Sequence, residues 1–92
     1  MQTTPLEQPE QDEDVSIQEP AKVILFNDDV HTFEEVIVQL IKAIKCTQTK
    51  AEALAWEVHN NGRAAVYAGE LFKCMEVSRV LEEIELLTQI EV

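Results

Sequence analysis

Phe33, Val36, Ile37, Leu40, Ile41 and Ile44 recur at i, i+3, i+4, i+7, i+8 and i+11, so one apolar stripe runs along a single helical face. Thr32 precedes the stripe and Glu35 stands three residues further on. This is the pattern of a capping box, in which hydroxyl and carboxylate each accept a terminal backbone N–H. A helix with one such face must bury it against another element. Just upstream, Lys22 to Phe26 is a short, mostly β-branched apolar run bounded by Pro20 and Asn27, which reads as a strand. Downstream, Thr47 or Thr49 is placed to cap a second helix from about Lys50 to Asn60. Its alanines Ala51, Ala53 and Ala55 favour helix, and Asn60-Asn61-Gly62 supplies a left-handed stop. Arg63 to Tyr67 reads as a second strand. Gly69-Glu70 opens a third helix with Leu71, Cys74, Met75, Ser78, Leu81 and Ile84 inward, and Leu86 to Val92 reads as a last strand. The order β-α-α-β-α-β predicts an α+β fold, a small three-stranded antiparallel sheet packed against three helices that cover one face.

The charge is unevenly spread. Of a net −11, residues 1–21 hold −6, from Glu7, Glu10, Asp12, Glu13, Asp14 and Glu19 with no basic residue, together with all three prolines. Such a segment buries too little apolar surface to offset the entropy of ordering it. Residues 1–20 are expected to be a disordered acidic tail, and residues 21–92 a single folded domain. An acidic chain with no basic stripe is a poor match for nucleic acid, where affinity rests on cations neutralising phosphates. The polar, acidic start has no apolar leader core, and no apolar run approaches membrane-spanning length. Cys46 and Cys74 have no motif spacing and read as free thiols. The expectation is a monomer in the cytoplasm.

Between the first strand and the capped helix stand three acceptors side by side, Asn27, Asp28 and Asp29, followed by His31. Asn and Asp serve turns by satisfying local backbone groups, and that explanation suffices for the triplet alone. A hairpin of the first two helices, however, would return the last turn of the second to the level of that triplet. His59 would then join it beside Phe33, Val36, Ala55 and Val58. His59 also suits a helix C-terminus through the helix dipole. Asp28, Asp29, His31 and His59 are possible metal ligands, but no H-x-x-x-H or C-x-x-C spacing supports a metal or a metal-dependent hydrolase. No nucleophile with a base nearby in sequence and no phosphate-binding glycine loop is present, so no enzyme and no cofactor are expected.

V-I-L-F-N-D-D-V-H-T-F-E-E-V, followed about thirty residues later by E-V-H-N-N-G-R-A, closely resembles the ClpS family of small adaptors for AAA+ Clp proteases. The resemblance covers residues 21–92. It implies a protein that binds substrates bearing a large hydrophobic N-terminal residue, an N-degron, and delivers them to a Clp-type unfoldase. By position, Asn27, Asp29 and His59, with Asp28 adjacent, match the family's binding site for the α-amino group. The side-chain pocket maps onto Leu25, Phe26, His31, Phe33, Val36, Ala55 and Val58, with Leu86 or Leu87 closing it. Glu70 matches an acid by which the family docks on the N-terminal domain of its unfoldase. Two departures stand out: His31-Thr32-Phe33 replaces a frequent Thr-Pro-Met, and Ala55 stands where a second pocket methionine is common. A scaffold that binds or inhibits the unfoldase without a ligand is the alternative.

The chemistry of the matched positions is coherent. An α-ammonium offers three donors and no acceptor, so it needs several acceptors around it. An amide oxygen, a carboxylate and a neutral imidazole nitrogen supply three.

Overall fold

The computed structural model describes residues 20–92. The tail expected at residues 1–20 therefore lies, apart from Pro20, outside the described residues. Six elements follow in the expected order: β1 (Ala21–Phe26), α1 (Phe33–Ile44), α2 (Gln48–Asn61), β2 (Arg63–Gly69), α3 (Leu71–Glu82) and β3 (Thr88–Glu91). The sheet is antiparallel with β1 in the centre, in the order β2-β1-β3. A bulge lies opposite Val23 and Ile24, where pairing jumps from Tyr67 to Ala65. Among the described residues, no helix is long and apolar enough to cross a membrane.

Local chemistry sets each boundary. Thr32 accepts from the Glu35 N–H while the Glu35 carboxylate accepts from the Thr32 N–H, completing the capping box. Lys45 ends α1 in the left-handed region. Thr47, and not Thr49, caps α2 by accepting from Lys50 N–H. Gly62 closes α2 at φ 84°, a backbone state that L side chains resist. Glu70 precedes α3 without a side-chain cap.

Helices α2 and α3 lie against the sheet, and α1 packs on both of them. Val23 and Leu25 from β1, Leu40 from α1, Ala51 from α2, and Cys74 and Leu81 from α3 are sealed at the centre. Gln39 is buried within the apolar stripe of α1; its amide donates to the Val80 carbonyl at 2.6 Å, which removes an unsatisfied donor from the interface. Burial raises the Cys74 thiol above its usual pKa, and both cysteines are free.

Three expectations shift. Met75 and Leu71 face solvent, because the inward face of α3 is defined by Cys74, Val77, Ser78 and Leu81. The last strand is confined to Thr88–Glu91, since Leu86 turns into the core before pairing begins. β2 continues past Tyr67 to Gly69, where Gly69 pairs with Ala21.

Candidate functional site

The turn between β1 and α1 is built by Asp28. Its Oδ1 accepts from the backbone N–H groups of Val30 and His31, each at 2.9 Å, which folds the chain back within three residues. Its Oδ2 meets His31 Nδ1 at 2.8 Å. The other ring nitrogen of His31 donates to the Ile84 carbonyl oxygen, at the end of the α3 region. A carboxylate and a carbonyl both only accept, so the two contacts together favour the doubly protonated imidazolium form of the ring. The Asp28 hydrogen bond, followed by that of Ile84, pushes the His31 pKa up. The His31 backbone N–H, with the ring behind it, pulls the Asp28 carboxyl below its usual value.

Asp28 is thus consumed by the turn, and its neighbours are not. Asn27 and Asp29 are exposed, as is His59 in the last turn of α2. No other described residue hydrogen-bonds their side chains. The expected hairpin of α1 and α2 brings them together, and a backbone bond fastens the arrangement: Asn27 N–H donates to Gly62 O at 2.9 Å. The residue that stops α2 therefore also ties the histidine end of that helix to the acceptor turn.

These three side chains border a pocket of about 550 Å³, also lined by Asp28, His31, Thr32, Phe33, Val36, Ala55, Trp56 and Val58. Its wall is polar on the turn side and apolar on the helix side. Ala55 and Val58 are almost wholly covered. Phe33 and Trp56 pair across the two helices with ring centroids 4.8 Å apart at a 53° tilt, and Trp56 meets the His59 ring edge-on at 5.8 Å.

Of the positions expected in the side-chain pocket, His31, Phe33, Val36, Ala55 and Val58 line it. Leu25, Phe26 and Leu86 are not among its lining residues. Leu25 points into the core with no exposed surface. Phe26, next along the strand, points to the other side of the sheet, where the Arg63 guanidinium lies 5.9 Å from its ring centroid. Leu86 fills the core at 3% exposure, while Leu87 is exposed. His31, in turn, is more than a pocket wall, being the clamp described above. Trp56 also lines the pocket, and it stands three residues before His59, on the same helical face.

Asn27, Asp29 and His59 can accept; beside them is an apolar cleft. That combination suits a cation attached to an apolar side chain. No three His, Cys, Asp or Glu side chains among the described residues converge as metal ligands.

Comparison with known proteins gives consistent findings. The model of the family described as "ATP-dependent Clp protease adaptor protein ClpS" matches residues 16–86. The human E3 ubiquitin-protein ligase UBR2 is 43% identical over 58 residues, 63% of this chain and 3% of that protein. Caenorhabditis elegans E3 ubiquitin-protein ligase ubr-1 is 41% identical over 51 residues, 55% of this chain and 2% of the other. The chain thus spans only a few per cent of the length of these curated relatives. In fold it is similar to Agrobacterium tumefaciens ClpS2, solved bound to L-phenylalaninamide, with a TM-score of 0.74 at 22% identity, covering 79% of this chain and 95% of that one.

Proposed function

The chain belongs to the ClpS family of Clp protease adaptors, and on that premise we propose that it captures proteins with a large hydrophobic N-terminal residue and hands them to a Clp-type AAA+ unfoldase. The observation that carries this reading is the placement of three unengaged acceptors, Asn27, Asp29 and His59, at the mouth of one apolar pocket. The ammonium of a substrate's first residue donates to the Asn27 amide oxygen, the Asp29 carboxylate and a ring nitrogen of His59. Its side chain enters between Phe33, Val36, Ala55 and Val58. Burying one such side chain contributes ~1.5–3 kcal/mol. Phenylalaninamide, the ligand of the Agrobacterium relative, carries the same two features, a free α-amine and an apolar side chain.

Residues 21–92 form the adaptor domain in this proposal, and its role is binding without catalysis. Delivery uses the unfoldase's ATP. Glu70 docks on the N-terminal domain of the partner. Its position at the head of α3 supports this, since Phe72 and Met75 beside it leave apolar surface exposed, 74% and 49% respectively. The adaptor acts as a monomer in the cytoplasm, where such an unfoldase works.

Fluorescence anisotropy tests the binding half. Labelled ten-residue peptides that differ only at the first residue (Leu, Phe, Tyr, Trp, Ile, Val or Ala) are compared with acetylated Phe. Bulky apolar starts bind, and acetylation abolishes binding by removing the charge and donors. Equal binding of the acetylated peptide would defeat the reading.

A further inference from the structure

Beyond the pocket lies a second groove of about 460 Å³ on the outer side of α1 and α2, and the two share a wall. Phe33 and Trp56 line both. Their paired rings, 4.8 Å between centroids, form a ridge with the pocket on one side and the groove on the other. Past the ridge the groove is apolar along Ile37, Val38 and Ile41, with Glu34 and Glu52 on its rim. Val38 is 62% exposed and Trp56 52%. A single exposed apolar side chain is ordinary. Here two converge on one groove beside the site, and the apolar stripe of α1 does not require Val38.

We infer that this groove is a second subsite, which takes the side chain of the substrate's third residue and favours a large apolar one. The inference rests on the N-degron reading above. An extended chain places side chains one and three on the same face, about 7 Å apart. With the first in the pocket, the second points away from the protein and the third falls across the aromatic ridge. The ridge is therefore a positioning element as well as a pocket wall, since it separates the two side chains. Glu34 and Glu52 make the groove hostile to an acidic third residue. Gln48 donates to Glu52 at 3.1 Å, one turn away on α2, which holds that carboxylate in place.

Peptides beginning with Phe and carrying Leu, Ala or Glu at position three separate this inference from the reading beneath it. They are titrated by anisotropy against the wild type, Val38→Glu and Glu52→Gln. Leu is expected to bind about fivefold tighter than Ala, and Glu weaker than Ala. Val38→Glu erases the Leu advantage, and Glu52→Gln relieves the Glu penalty. Both variants keep the discrimination at position one and the loss on acetylation. Position-three differences that are absent in the wild type, or that persist unchanged in Val38→Glu, overturn the subsite while the N-degron reading stands. If no peptide with a free N-terminus binds the wild type, the N-degron reading fails and the subsite with it.

Discussion

His31 ties the turn that carries Asn27 and Asp29 to the carbonyl oxygen of Ile84, 53 positions further along the chain. The same ring holds Asp28 through its other nitrogen. One side chain thus fastens the acceptor turn to the far end of the fold, and donating to both partners at once takes the imidazolium form.

That relationship has a pH signature. The His31 pKa is raised in the folded state. Its stabilisation is therefore fully present below the ordinary imidazole value of ~6.5 and is lost as pH rises through the raised value. Asp28 is shifted down, so its share is present above the usual carboxylate range and disappears as pH falls through the lowered value. Between these limits the clamp is intact. His31→Gln should cost ~1.5–3 kcal/mol near pH 6, the worth of a hydrogen bond involving charge, and clearly less near pH 9. Urea unfolding of both proteins at the two pH values measures this. A penalty that stays constant with pH is incompatible with an imidazolium clamp.

The two aspartates of the turn should separate by assay. Asp28 has both oxygens committed to the turn, whereas Asp29 faces the pocket mouth. Asp29→Ala and Asn27→Ala are expected to weaken a Phe-initiated peptide by roughly tenfold to a hundredfold each, with little effect on thermal stability. Asp28→Ala should lower the melting temperature by several degrees, because it leaves two backbone donors and the His31 ring without their acceptor. Calorimetry and anisotropy on the same preparations decide the assignment; a stable Asp28→Ala that fails to bind would move Asp28 into the binding group.

Peptide affinity should itself depend on pH, through the ligand and not through the groups that govern stability. The α-amine donates to Asn27, Asp29 and His59 only while it carries its charge, so affinity falls above about pH 8 as that charge is lost. His59→Ala removes one acceptor and should bind more weakly while keeping the same alkaline limb. Anisotropy titrations of a Phe-initiated peptide on both sides of about pH 8 measure this. A profile that stays flat there would mean that the ammonium is not what the site holds.

Pocket breadth follows from Ala55. The residue is 3% exposed and forms part of the apolar wall opposite the acceptors. Ala55→Met fills the space with three more heavy atoms on a flexible stem. Peptides that begin with Trp or Phe should lose about tenfold, and those that begin with Leu less, which is the scale of discrimination a hydrophobic pocket achieves. Titration of the three peptides against both proteins gives the ranking. An equal loss for all three would mean that the methionine blocks the entrance and leaves the breadth unchanged.

Much of this architecture is legible in the chain because local signals agree. The stripe from Phe33 to Ile44, the Thr32–Glu35 box and Gly62 each specify a backbone state on their own. The acceptor cluster was legible because Asn27, Asp29 and His59 bracket two helices of similar length. Side-chain direction and distant partners are what local patterns do not carry. Leu25 and Phe26 adjoin Asn27 in sequence, but strand alternation sends one into the core and the other across the sheet. Cys74 and Met75 are adjacent apolar residues about 100° apart on a helix, and only the packing of α3 on the sheet selects Cys74. No local pattern announces that His31 will meet Ile84.

Gly62 links fold and site most directly. It sits at φ 84°, and the space around its α-carbon is open. A methyl group at this position meets no neighbour, so the cost of Gly62→Ala is backbone strain alone, about 1–2 kcal/mol. The same residue's carbonyl accepts from Asn27 N–H at 2.9 Å, and any relaxation of the strain shifts that oxygen. His59, three residues earlier, moves with it. Gly62→Ala should therefore lose peptide affinity as well as stability, although residue 62 lies outside the pocket lining. Gly62→Asn, whose side chain tolerates the left-handed region, should recover much of both. Unfolding free energies and peptide affinities of the three proteins are the measurement. If Gly62→Ala loses stability but binds peptide as well as the wild type, the bond from Asn27 to Gly62 does not set the distance between the acceptor turn and His59.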